Sequence, residues 1–258
     1  MDKDLKIIIR AAQAGGRVLN KYFGQSVKAT TKTAPADFRT KVDLISEKAI
    51  LRIIKQAFPK YNIHAEESGK NNNKSDYTII IDPLDGTNNF ALGIPFFSVC
   101  IALMHKNETI TAVIHNPVTS QTFYAQKGQG AFINGKRLRV SNVTDIRKAS
   151  VAYTSSYKMS DRVIESRILK NILTKKVKRV LTNWSPALDM CLLAQGRLDV
   201  YINNTCEIYD YVAGKLVASE AGAMITDLKG RPEKNDLNDR FVISNGIKLS
   251  NQVLRLIR

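Results

Sequence analysis

The chain has 258 residues but only three cysteines, three histidines and one tryptophan. Cys100, Cys191 and Cys206 are odd in number and show no C-x-x-C spacing. That points away from a disulfide framework and toward buried, reduced thiols in a cytoplasmic protein. His64, His105 and His115 are scattered along the chain, which argues against a zinc centre. No apolar run approaches the roughly 18–20 residues of a membrane span. The opening "MDKDLKIIIRAAQAGG" does not read as a secretory signal, because its apolar run is short, Arg10 interrupts it and no small-residue cleavage site follows. Internal repeats, low-complexity tracts and obvious linkers are missing as well. Acids are in deficit: 23 Asp and Glu stand against 39 Lys and Arg, a formal charge of +16. Such a surface concentrates anionic partners, whether nucleic acid, acidic lipid or small phosphates. The densest basic run, "KNILTKKVKRV" at Lys170–Val180, has no interleaved aromatics and matches no nucleic-acid motif. It reads as a solvated helix end and loop.

What is present is an ordinary globular composition, 44% hydrophobic and 24% charged, long enough for one large domain or two coupled ones. Apolar spacing predicts helices over 4–23 and 41–58, the second stopped by Pro59, with a polar loop between them. A short strand in "NIHAEESG" ends in acids, and Tyr77–Ile81 reads as a buried strand. Phe97–Met104, Thr109–His115 and Gln121–Ala125 form an expected antiparallel meander, with "NGK" at 134–136 as a hairpin turn. After residue 150 strands and helices alternate, which implies sheets covered by helices. The texture changes near 141–150, so the expected division is an N-terminal α+β half, 1–145, and a C-terminal α/β half, 146–258.

The stretch that carries chemistry is "IIIDPLDGTNNF", residues 79–90. An apolar strand runs into Asp82 and Asp85, separated by Pro83 and Leu84. Proline fixes φ near −65° and removes a donor, so the chain must turn, and two carboxylates with the Leu84 carbonyl can face one point. Gly86 permits close backbone approach to a ligand. "TNNF" then reads as the first turn of a helix, where free N–H groups suit a phosphate. Hard oxygens beside an anion site suit magnesium. A plain Asp/Pro/Gly surface turn competes with this reading. So does the D-x-D-G-T aspartyl-phosphate loop of haloacid dehalogenase-type phosphatases, but D-x-x-D-G-T is one residue longer. On an extended chain the extra residue puts the two acids on opposite sides. A calcium loop fits poorly, because the alternating ligands and terminal Glu are missing.

"DPLDGTNNF" closely resembles the first signature of the inositol monophosphatase family, D-P-x-D-G-T-x-N-F. "EESG" at 66–69, "TKVD" at 40–43, "GQGAFINGKRLRVS" and "IYDYVAGKLVASEAGAMITD" at 208–227 resemble further family segments, in the family's order. The resemblance implies a layered α/β/α/β/α sandwich of the inositol monophosphatase and fructose bisphosphatase type, in the broad α/β (α+β) class. It implies a Mg²⁺-dependent phosphomonoesterase, a homodimer by the family's habit. Glu66, Asp82 and the Leu84 carbonyl would hold one metal, and Asp82, Asp85 and Asp210 a second. A weaker third would share Glu66. Thr87 and Asp43 would orient the attacking water, with Glu66 the other catalytic acid, and Gly86 and Thr87 amides would bind the phosphate. Asp85, Asn203 and Asp210 would contact the substrate. "TKVD" also fits a capping box, with Asp43 as the third helical residue, and Asp210 also fits the N-cap of its helix.

The substrate side departs from the family. Tyr209 replaces a Trp, Asn203 an acid, Trp184 a Gly, Pro186 an Ala and Ala223 a Gly, and an expected Arg is missing. The expected substrate is inositol 1-phosphate or a similar polyol or sugar phosphate, with fructose 1,6-bisphosphate or a 3′-phosphoadenosine nucleotide as alternatives. A reading of another class is an RNA- or transcription-complex-associated factor with secondary phosphatase activity. No membrane partner is expected.

Overall fold

The computed structural model describes residues 2–25, 29–31, 38–156, 158–174, 177–233 and 236–257. Helix α1 (Lys3–Tyr22) is followed by a short antiparallel pair, β1 (Ala29–Thr31) and β2 (Phe38–Thr40), and by α2 (Lys41–Ala57). The pair adds to the loop expected between the helices; the rest of that stretch, 26–28 and 32–37, lies outside the described residues. Leu5, Ile8, Ala12 and Leu19 of α1, and Val42, Ile50 and Ile54 of α2, are buried at helical spacing. The helices approach closely because residue 15 is glycine; a Cβ there would lie 2.8 Å from Ser46 Oγ.

The first sheet is built from β3 (Asn62–Ala65), β4 (Gly69–Lys70), β5 (Tyr77–Asp85), β6 (Ser98–His105), β7 (Glu108–Asn116), β8 (Gln121–Gln126), β9 (Gly130–Ile133) and β10 (Lys136–Arg137), with α3 (Thr87–Ala91) after β5. Its order is β10-β9-β8-β7-β6-β5-β3-β4. The meander from β5 to β10 is antiparallel, whereas β3 runs parallel to β5. Asn134 and Gly135 both take positive φ, 46° and 86°, the backbone a two-residue hairpin turn requires.

The second half contains β11 (Ser150–Ser155), α4 (Met159–Thr174), β12 (Arg179–Leu181), α5 (Pro186–Ala194), β13 (Val200–Asn204), α6 (Ile208–Glu220), β14 (Met224–Asp227), β15 (Arg240–Ser244) and α7 (Ile247–Ile257). The sheet order is β12-β11-β13-β15-β14, parallel except at β15. The basic run falls at the end of α4 and on β12; its residues 175–176 lie outside the described set.

Strand periodicity divides the core into layers. Ile79, Ile81, Ile101 and Val113 pack against α1 and α2. On the other face Ile80, Ala102, Ala112 and Ile114 pack against α5 and α6, which also receive Tyr201, Phe241 and Ile243 from the second sheet. Val151, Ile202 and Val242 face the far side, under α4 and α7. The result is the α/β/α/β/α stack, with α5 and α6 shared by both sheets. Among the described residues no helix is long and apolar enough to cross a membrane.

Candidate active site

The expected strand Tyr77–Ile81 runs on to Asp85, and the extension carries the acids. Asp82 pairs with Cys100 and Asp85 with Ser98, so three residues on β5 span two on β6, with a register shift between them. This is a β-bulge, and it re-aims a side chain. The three-residue spacing alone puts the acids on opposite faces; the extra residue at Pro83–Leu84 returns both to one side. Leu84 turns its side chain into the core beneath α1 and α2. Ser46 of α2 donates its hydroxyl to the Pro83 carbonyl at 2.9 Å, which pins the bulge from below.

Asp210 joins from α6. The helix starts two residues before it, so Asp210 is the third helical residue rather than the N-cap: Glu207 caps, and the Glu207 N–H donates to Asp210 Oδ2 at 3.0 Å. Ligand oxygens of Asp82, Asp85 and Asp210 all lie within 4.8 Å of one another. Burial and the charges of Glu66, Asp210 and Asp85 hold the Asp82 carboxyl well above the usual range. Burial and Glu66 do the same to Asp210. Asp85 is pushed up to about 6 by burial, against the opposing hydroxyls of Ser185 and Ser98 and the backbone N–H groups of Ala187 and Leu188 in the first turn of α5. Those hydroxyls both donate to Oδ2, at 2.5 and 2.8 Å, while the buried Oδ1 has no hydrogen-bond partner. A buried, orphaned carboxylate oxygen inside a triad of repelling acids fits a hard divalent cation.

Glu66 leaves β3 in a turn, its N–H donating to Ile81 O at 3.1 Å. Glu47 on α2 supports that turn by accepting the Glu67 N–H at 2.8 Å, and Glu67 is ion-paired with Arg39. The capping box is present: Asp43 Oδ2 accepts the Thr40 N–H at 2.9 Å and the Thr40 hydroxyl at 2.5 Å. The second role is compatible with it, because Asp43 Oδ1 lies 3.2 Å from the Thr87 hydroxyl. That hydroxyl is also 3.0 Å from the Leu84 carbonyl. With one proton, it donates to one of the two at a time. Gly86 takes φ of 89°, and a Cβ there would sit 3.1 Å from Phe96 O, so glycine is required on both counts.

On the substrate side, Asn203 is fully buried. Its Oδ1 accepts from Tyr201 at 2.8 Å and Cys206 at 3.2 Å, and its Nδ2 donates to Asp239 O at 2.8 Å. Tyr209 is half-buried, with its hydroxyl pKa raised by burial and by Glu66. Trp184, where the resemblance led to glycine being expected, has φ of 56°. Sequence reasoning missed Glu47, Ser98, Ser185 and Asp189. Only Glu47 carried a local signal, lying four residues after Asp43 on the same buried helix face.

The layered α/β/α/β/α fold is of the type seen in inositol monophosphatase structures. The chain belongs to the inositol monophosphatase family, whose model matches residues 1–258. It is similar to the Nus factor SuhB of Pasteurella multocida, 37% identical over 232 residues, 89% of this chain and 87% of that one. It is also similar to the fructose-1,6-bisphosphatase/inositol-1-monophosphatase of Thermotoga maritima, 33% identical over 258 residues, 100% of this chain and 96% of that one. Among solved structures, a Thermotoga maritima IMPase matches with a TM-score of 0.90 at 30% identity, over 99% of this chain and 97% of that one.

Proposed function

We propose that the protein hydrolyses small phosphate monoesters with Mg²⁺, by direct attack of water, on a polyol, sugar or related phosphate. The observation that carries this is the orphaned Asp85 Oδ1 within the triad of Asp82, Asp85 and Asp210. Asp82, Asp85 and Asp210 would hold one ion, and Glu66, Asp82 and the Leu84 carbonyl another. Bound there, the ions supply Lewis-acid charge for the phosphoryl oxygens and the departing alkoxide.

The chain's own groups do the rest. The Thr87 hydroxyl can accept a proton from water as it passes its own to Asp43 Oδ1. Asp43 is prepared for that, because Thr40 occupies its other oxygen. When Thr87 donates to Asp43, the Leu84 carbonyl is released to face the site. Gly86 and Thr87 backbone N–H groups bind the phosphate. Asn203, with both amide ends engaged inside the protein, supports the wall beneath the substrate. The reading also takes the protein to be a cytoplasmic homodimer. The free thiols of Cys100 and Cys191 are buried, which suits a reducing compartment; the dimer rests on resemblance alone.

The test is phosphate release from inositol 1-phosphate, fructose 1,6-bisphosphate, glycerol 2-phosphate and 3′-phosphoadenosine 5′-phosphate, with Mg²⁺ and with EDTA. Release that needs Mg²⁺ is expected; equal turnover in EDTA would overturn the metal mechanism.

A second reading, association with RNA in a transcription complex, is favoured by the outer helical layer. Arg10, Arg17 and Lys21 of α1 and Lys48, Arg52 and Lys55 of α2 are exposed, whereas the acids of α2, Asp43 and Glu47, are buried. Such a face binds phosphodiester backbones without reading sequence. Binding of unstructured RNA would show a log–log salt slope of about −4 if all six cations engage. A slope unmoved by Arg52→Glu with Lys55→Glu would refute this use of the face.

A further inference from the structure

Trp184 is the chain's sole tryptophan, and two unfavourable features meet in it. Its backbone has φ of 56°, a conformation that bulky L residues hold only when their surroundings impose it. Its side chain is 51% exposed, leaving a large apolar ring in water.

The surroundings that impose this belong to the carboxylate site. On one side, the Asn183 carbonyl accepts from Asn89 Nδ2 and the Asn183 amide donates to Asp189 Oδ1, each at 2.6 Å. On the other, the Ser185 hydroxyl donates to Asp85 Oδ2 at 2.5 Å, and the Ser185 carbonyl accepts the Asp189 N–H at 3.1 Å. Ser185 Cβ would stand 3.3 Å from a Cβ on Gly86. Residues 183–185 therefore form a fixed wall beside Asp85 and Gly86. Ser185 is the buried residue of that wall and Trp184 the exposed one. The residue that bears the indole is the immediate chain neighbour of the serine whose hydroxyl reaches the Asp85 carboxylate.

We infer that Trp184 is a stacking wall for the organic part of the substrate, and that the site favours phosphate monoesters bearing a planar ring, such as a nucleoside monophosphate. The inference rests on the phosphatase reading above. A polyol can set its C–H groups on an indole but has no π face to stack there, and the buried amide of Asn203 is already engaged within the protein. A purine does offer such a face, and base–aromatic stacking tolerates different bases.

The experiment compares adenosine 3′-monophosphate with glycerol 2-phosphate in wild type, Trp184→Ala, Trp184→Phe and Trp184→Gly. The ratio of their KM values should shift about tenfold against the nucleotide in Trp184→Ala and largely return in Trp184→Phe. Trp184→Gly suits the positive φ, so it should show the same shift with no loss of Tm. A ratio unchanged in all three variants, or changed only where Tm falls, overturns the inference. Because the indole is unique, its fluorescence also reports the contact without turnover. Adenosine 3′-monophosphate with Mg²⁺ should quench it saturably, and glycerol 2-phosphate should not. Quenching without hydrolysis of any ester sinks the phosphatase reading and keeps the wall; hydrolysis without preference or quenching does the reverse.

Discussion

Asp82→Asn should stabilise the cation-free protein while abolishing turnover. The replacement is nearly isosteric and keeps the oxygen that accepts the Leu84 N–H at 2.9 Å. It removes one charge from three carboxylates whose ligand atoms lie within 4.8 Å of one another. Two like charges at that separation repel by about 3.5 kcal/mol at an effective dielectric near 20. Asp82 faces two such neighbours, Asp85 and Asp210. The full sum is never stored, because the cluster relieves itself by binding a proton; that is why burial and the neighbouring acids hold Asp82 so far above its usual range. Relief of about half of one such pair is ~2 kcal/mol, or about 4–8 °C in Tm for a chain of this size. The assay is thermal melting at neutral pH, in EDTA and in saturating Mg²⁺. In EDTA the variant should melt above wild type. Mg²⁺ at a hundredfold over its Kd should add about 2.7 kcal/mol to wild type and far less to the variant, so the order reverses. A variant that melts below wild type in EDTA, yet gains as much from Mg²⁺, would refute the reasoning. Asp82 would then be a structural acceptor and not a cation ligand.

Thr87→Val removes the hydroxyl placed between Leu84 O and Asp43 Oδ1; kcat should fall about 10²–10⁴-fold with KM little changed, and an unchanged kcat would end the proton-relay role. Asp189 supplies a pH test away from the triad. Its carboxyl is pushed up to about 7 from 3.8, chiefly by burial, with Asn183 opposing, and its Oδ2 has no partner. A raised folded-state value means stability that is full below about pH 4 and is lost as pH rises through 7, up to about 4 kcal/mol by pH 8. Asp189→Asn keeps a carbonyl for Asn183 to donate to, so urea titrations from pH 5 to 8 should show a flatter decline; a slope equal to wild type would count against this assignment.

The helices, the meander and the motif acids were legible because each is a local pattern. Ile79 and Ile81 against Ile80 already encode the two faces of β5, and Asn134–Gly135 encodes the turn from β9 to β10. The geometry of the acid pair was not legible. Spacing alone puts Asp82 and Asp85 on opposite sides; only their pairing with Cys100 and Ser98 shows the bulge that reunites them. Register of that kind is a property of two strands, so it cannot be read from one. Ser185 and Asp189 were missed for a related reason. They reach the site from α5, a hundred residues beyond Asp85 in the case of Ser185, and nothing in "WSPALD" marks a serine that serves a distant carboxylate. Asp210 was recognised as an acid of the site, but its place in the helix was misjudged. Glu207, an acid in the N-cap position usually held by Ser, Thr, Asn or Asp, conceals the true start.

Four deviations from local rules meet at the carboxylate site, and their supports come from several layers. Buried like charges, an orphaned carboxylate oxygen, a bulge through proline and a tryptophan at positive φ all stand within a few residues of Asp82, Asp85 or Ser185. Each is unfavourable alone and is held by groups from elsewhere: Ser46 and Glu47 from α2, Ser98 from β6, Ser185 from the entry to α5. A fold tolerates such local conflict where a ligand resolves it. The cation would resolve the repulsion of the triad, and a planar ring would cover the indole. Neither would repair the other, because Trp184 carries no charge and the triad offers no apolar face. The two tests are therefore independent. Mg²⁺ should raise the Tm of Trp184→Ala as much as it raises that of wild type, and a smaller gain would mean that the tryptophan wall, and not the acids alone, sets the geometry of the cation site.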